Sequence, residues 1–156
     1  MRLKTFCCFL FLLTALVGNA QQLHTIPGLN LSQVPDGWHK FMVENVIFDV
    51  EVKEERLIKG VIQWLDGSSY SGDLFYNSIS GIGTYKWPNG MSYEGTLKKS
   101  QRHGRGSFIL QNGSKWNGKW KENKKDGKGK IYDETGKIIK QGVWKEDVFQ
   151  EEPKKN

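Results

Sequence analysis

Cysteine is almost missing from this 156-residue chain, and its two copies, Cys7 and Cys8, both fall inside an N-terminal stretch that reads as an export signal. Arg2 and Lys4 precede an apolar run from Phe6 to Val17, and Gly18-Asn19-Ala20 supplies small residues at a signal peptidase site, which predicts cleavage after Ala20. The run is too short to span ~30 Å of hydrocarbon, so a cleaved signal is expected over an anchor. The chain from residue 21 onward would then hold no cysteine. That excludes a disulfide, a thiolate nucleophile and a Cys-ligated metal, and leaves stability outside the cytoplasm to packing.

Histidine is scarce too. His24, His39 and His103 are the only three, with no two at a metal-ligand spacing. No nucleophile elbow or phosphate-binding loop is present, and the Gly-x-Gly units have no following helix that would make them a nucleotide fingerprint. Asp66, Asp73, Asp126 and Asp133 are explained as turn and solvent-face residues. No catalytic residue, cofactor or metal is expected. Proline occurs four times. Two of the four, in Pro27-Gly28 and Pro35-Asp36-Gly37, mark residues 21–40 as an irregular leader, and Glu151-Glu152-Pro153 belongs to a tail over 148–156 with nothing to bury.

What the chain has in quantity is glycine, 18 residues, and aromatic rings, 12% of the sequence with 6 Trp. That many rings argue against disorder, so the glycines must serve a geometry. Their spacing shows which. Gly72, Gly95 and Gly118 recur at 23 residues, each two positions after an aromatic, Tyr70, Tyr93 and Trp116. Gly81, Gly104 and Gly127 keep the same period, as do Gly83, Gly106 and Gly129, which are followed two residues later by Tyr85, Phe108 and Ile131. A fourth phase, Gly67, Gly90, Gly113 and Gly136, ends turn sequences such as Pro88-Asn89-Gly90. Several phases agreeing on one period identify a true repeat.

Each unit alternates with period two, as half-buried strands do. Asn89-Gly90 and Asn112-Gly113 are hairpin-turn formers, and the other turns are predicted at about 76–80, 99–103 and 122–126. The expected fold is all-β, an elongated single-layer antiparallel meander of hairpins. Glycine inside a strand costs roughly 0.5 to 1 kcal/mol. It is explained here if a ring from the adjoining strand lies over the bare backbone. Residues 41–67 read as a degenerate capping repeat with a charged turn at Lys53 to Arg56, and the strand around Gly142, shifted by a one-residue insertion, closes a repeat domain spanning 41–147.

The series Tyr70-x-Gly72, Gly81-x-Gly83-x-Tyr85, Tyr93-x-Gly95, His103-Gly104-x-Gly106-x-Phe108, Trp116-x-Gly118, Gly127-x-Gly129 resembles the MORN repeat. That resemblance implies an open sheet used for protein association, self-association or contact with phospholipid membranes, without catalytic residues of its own.

Charge is distributed unevenly. Residues 98–130 hold eleven Lys and Arg against Glu122 and Asp126, whereas residues 36–60 hold six acids and four bases. In the hairpin reading Lys98, Lys99 and Arg102 occupy one turn and Lys121, Lys124 and Lys125 the equivalent turn one unit later, so they form a basic edge. Such an edge attracts an acidic protein, an acidic glycan or anionic phospholipid, or else simply solubilises the domain. Nucleic acid is disfavoured by the predicted export and by the lack of a recognition helix. In a eukaryotic secretory route Asn30-Leu31-Ser32 and Asn112-Gly113-Ser114 would be glycosylation acceptors. The residues thus point to a secreted or periplasmic, non-catalytic binding or scaffold protein acting through protein contacts, with lipid binding and self-association as the alternatives.

Overall fold

The computed structural model describes residues 22–76 and 78–151. The signal sequence expected at 1–20 and the last tail residues, 152–156, lie outside the described residues. The described strands form one open antiparallel sheet of eleven strands in chain order: β1 (Gly37–Val43), β2 (Val46–Lys53), β3 (Arg56–Trp64), β4 (Ser69–Phe75), β5 (Ser78–Lys86), β6 (Ser92–Lys98), β7 (Gln101–Ile109), β8 (Lys115–Lys121), β9 (Lys124–Tyr132), β10 (Ile138–Lys145) and β11 (Val148–Gln150).

Alternation decides the two faces. Phe48, Val50, Ile62, Tyr70, Tyr85, Tyr93, Phe108, Trp116 and Trp120 share one buried inner face, while their strand neighbours point to solvent. Across the sheet Gly60, Gly72, Gly83, Gly95, Gly106, Gly118, Gly129 and Gly142 stand in register on successive strands, β3 to β10. The rings lie over this row as expected. A Cβ on Gly106 would fall 2.5 Å from the Tyr93 ring carbon Cζ, and one on Gly129 would fall 2.6 Å from Cζ2 of Trp116. The sheet needs no second layer of strands because each ring fills the space its neighbour's glycine leaves.

The other glycine of each Gly-x-Gly pair has a different duty. Strands β4, β6 and β8 are bulged at Asp73, Thr96 and Lys119, and Gly81 and Gly127 make room for the bulged side chain: an added Cβ would lie 2.5 Å from Asp73 Cβ or 3.0 Å from Lys119 Cβ. The bulge carbonyl then needs a donor. Tyr70 Oη donates to the Asp73 carbonyl at 2.6 Å, and Tyr93 Oη to that of Thr96 at 2.8 Å.

Four expectations change. The hairpin turns predicted as five-residue spans are two-residue turns at Lys99-Ser100 and Glu122-Asn123, with both residues of each left-handed (φ 49° to 68°), and the residues after them belong to strands. That conformation matches the strand twist, which holds a tight hairpin together even without glycine. The Asn-Gly segments do turn the hairpins as expected, in the form of three-residue loops: Gly90 N–H donates to the Trp87 carbonyl and Trp87 N–H to that of Met91. Only the glycine there has positive φ, and Asn89 Oδ1 accepts the Met91 N–H at 3.2 Å. The tail begins as strand β11, whose Phe149 ring covers Gly142 and meets Trp144 at 4.9 Å. The inserted residue before Gly142 is taken up as a bulge at Ile139, so the glycine row continues, and β11 rather than β10 ends the sheet. Finally, the leader is packed: Leu23, Ile26 and Leu31 are buried against the inner face, and regular structure starts at Gly37.

Candidate functional site

Strand parity places the six sequence-predicted basic residues in two different environments. Lys98, Lys99, Lys121 and Lys124 are exposed at or beside the two-residue turns, on the edge where they were expected, and Lys124 Nζ is 3.7 Å from a carboxylate oxygen of Glu146. Arg102 and Lys125 are not on that edge. Arg102 pairs with Leu97 and Lys125 with Trp120, which are inward-facing residues, and both cations are more than nine-tenths buried. The Arg102 guanidinium lies 4.6 Å from the Trp120 ring centroid and 5.3 Å from that of Phe108, and its Nη2 donates to the Asn123 carbonyl at 3.0 Å. Its Nε and Nη1 are buried without an acceptor among the described residues. Lys125 Nζ stands 5.8 Å from the Trp116 ring centroid. Burial pulls the Arg102 pKa down to about 10, partly opposed by Asp147, and pulls that of Lys125 down as well. These two long stems serve as core filler, at the position where the preceding unit has Ile79.

The turns also tie one unit to the last. Ser100 N–H donates to the Ile79 carbonyl at 2.8 Å, Asn123 N–H to that of Arg102 at 3.1 Å and Asp147 N–H to that of Lys125 at 3.0 Å. Asn123 and Asp147 return a side-chain oxygen to the Arg102 and Lys125 N–H groups. His103, expected in a turn, lies in strand β7, half-buried, with its carbonyl accepting from Tyr93 Oη.

The basic surface that the sequence reading missed is on the outer face of β7 to β10. Arg105 and Lys119 are direct partners there, as are Asn117 and Lys130, Lys130 and Gln141, and Lys128 and Val143. Together with Tyr132 they border a broad open hollow that crosses Gly118, Gly129 and Gly142. None of Arg105, Lys119, Lys128 and Lys130 forms an ion pair among the described residues, although Lys145 beyond them pairs with Asp126 at 3.2 Å. The signal was present in the sequence as a basic residue in the middle of Gly104-x-Gly106 and Gly127-x-Gly129 and directly after Gly118 and Gly129, but only the register shows that the four project around one glycine floor. Chemically the hollow offers cations, side-chain amides and bare backbone to an anionic surface.

A comparison with curated proteins found no matching relative. Residues 70–92, 93–115 and 116–138 each match the MORN repeat. MORN repeats generally serve as protein- or membrane-binding modules and are typically non-catalytic. With the 23-residue period, the glycine row and the successive hairpins in place, residues 70–138 of this chain are three tandem MORN repeats.

Proposed function

We propose that this chain is an exported, non-catalytic binding or scaffold protein that holds an acidic protein partner on the outer face of β7 to β10. The observation that carries this reading is the set of four cations, Arg105, Lys119, Lys128 and Lys130, gathered without internal counter-ions around the hollow over Gly118, Gly129 and Gly142. The inner face supports no competing surface there, since Trp116, Trp120, Phe108 and Trp144 already bury one another. Unpaired cations in salt act over about 8 Å, so the acidic partner has to seat directly on this face. Export rests on residues 1–20, and N-terminal sequencing of the secreted product is expected to begin at Gln21.

The test compares two charge-removal variants in a pull-down. Arg105, Lys119, Lys128 and Lys130 changed to Gln should lose the acidic partner, while Lys98, Lys99, Lys121 and Lys124 changed to Gln should retain it. Equal recovery by both variants and the unaltered chain would remove the outer face from consideration. Anionic against neutral vesicles, run in parallel, decide whether the ligand is a lipid headgroup instead; binding of anionic vesicles that only the edge variant abolishes would replace this reading with the membrane one.

A further inference from the structure

The leader is held to the sheet in an unusual manner. Residues 22–36 contribute no strand, and three large apolar side chains, Leu23, Ile26 and Leu31, are buried in the same apolar core as the inner-face residues of the sheet. Among the described residues, the polar contacts from residues 22–34 to the sheet come from His24 alone. Its Nδ1 meets Tyr85 Oη at 2.5 Å, its Nε2 lies 3.2 Å from Asp66 Oδ2, and its ring lies 5.0 Å from that of Trp64. The remaining hydrogen bonds of the segment are internal, between Asn30 and Ser32 and between Val34 and Leu31. By contrast every strand beneath it is fixed by ladders on both sides.

A segment held by side chains, without a backbone ladder, can leave while the sheet stays folded. What it would uncover differs between the two halves of the molecule. Over β8 to β10 the inner face closes with its own indoles, Trp116, Trp120 and Trp144. Over β2 to β5 the inward residues include the aliphatic Val50, Val52, Ile62, Leu74 and Ile79 beside Phe48, Trp64, Tyr70 and Tyr85, and the leader packs at this end of the sheet, with the His24 ring against Trp64 and Tyr85. We propose that residues 22–34 are a displaceable plug in an apolar groove over β2 to β5. The groove's exchange partner is an extended segment of another protein with large aliphatic residues on either side of a hydrogen-bonding residue, as in Leu23-His24-Thr25-Ile26. The template for this occupant is the leader itself, which shows what the groove accepts: two aliphatic anchors and a polar group between Asp66 and Tyr85. This surface is opposite in face and chemistry to the basic hollow and does not depend on it.

Two measurements on the full chain decide the matter. Hydrogen exchange of the unaltered protein should show the amides of residues 23–34 exchanging at least tenfold faster than those of β4 and β5; equal protection would make the leader an integral part of the core and overturn the proposal. A labelled synthetic peptide of residues 22–34 should bind a chain carrying Leu23→Asp and Ile26→Asp at least tenfold more tightly than the unaltered chain. Absence of binding to a variant that keeps its β-sheet circular dichroism overturns the proposal, and so does unfolding of that variant. A concentration-dependent dimer of the unaltered chain that the peptide dissolves would assign the groove to the leader of a second copy and likewise overturn it.

Discussion

The guanidinium of Arg102 lies 4.6 Å from the Trp120 ring centroid, inside the core of a sheet whose sequence suggested that this arginine belonged to an exposed edge. The two residues sit on β7 and β8, and among the described residues the backbone carbonyl of Asn123 in the next turn accepts the one hydrogen bond the guanidinium makes. Desolvating a cation that lacks a carboxylate contact opposes folding, while ring contact and stem burial favour it. Arg102→Ile introduces the residue found at the same place one unit earlier, Ile79. It is expected to leave stability unchanged or raise it by about 1 to 3 kcal/mol in urea unfolding, without affecting partner recovery. A loss above 2 kcal/mol would show that the cation is itself a stabilising element.

Alkaline pH acts on two sets of buried groups with opposite sign. Burial raises the pKa of Tyr70, Tyr85 and Tyr93, so in the window above about pH 10 the unfolded chain releases protons that the folded chain keeps, and stability falls as pH rises. Arg102, with its pKa lowered to about 10, and Lys125, also lowered, lose a proton first in the folded chain and contribute a rise over the corresponding window. Arg102→Ile should therefore steepen the alkaline loss of stability and Tyr93→Phe should lessen it. Urea midpoints between pH 8 and 11 check the two slopes, and the reverse ordering would refute the assignment.

Tyr93→Phe has a second consequence at neutral pH. It keeps the ring over Gly106 but leaves the Thr96 carbonyl at the bulge without its 2.8 Å donor, which should cost about 1 to 3 kcal/mol. Trp116, at the same position one unit later, has no hydroxyl, and its Nε1 is buried without a partner. Trp116→Phe should consequently lose packing but no bulge hydrogen bond, a difference visible in the exchange rates around residue 96 against those around residue 119.

Gly106→Val places a branched side chain where the Tyr93 ring lies, with Cζ only 2.5 Å from the added Cβ. Strain adds to lost ring packing, and a loss of about 3 kcal/mol or more is expected. Gly28→Val, where nothing lies within 4 Å, serves as the control and should change the thermal midpoint little.

Phe149→Ala tests the terminal cap. The ring covers Gly142, meets Trp144 at 4.9 Å and has Lys140 Nζ 3.8 Å from its centroid. Its removal should cost about 2 kcal/mol, less than a fully buried Phe because the residue is only half-covered, and should expose Trp144 to fluorescence quenchers. A tail with no packing role would show neither effect.

Much of the fold follows from the sequence alone, because a strand's alternation and a fixed repeat are local properties. The 23-residue period, the glycine pairs and the rings two residues from them establish hairpins, strand order and the inner face, and Gly106 could be paired with a covering ring before any coordinates. The tertiary structure decided everything that depends on register. A two-residue turn at Glu122-Asn123, where a longer one was expected, puts Lys125 inside with Trp116, and a bulge at Lys119 changes which residue of β9 stands opposite it. One residue of displacement in a strand exchanges core for solvent, so a basic edge in the sequence became two buried cations and four exposed lysines, and the unpaired cations gathered on the outer face. Phe149 and Leu23 were hidden for a related reason: each lies outside the periodic segment, and only the surface it covers, over Gly142 or in the inner-face core, shows that it belongs to the fold.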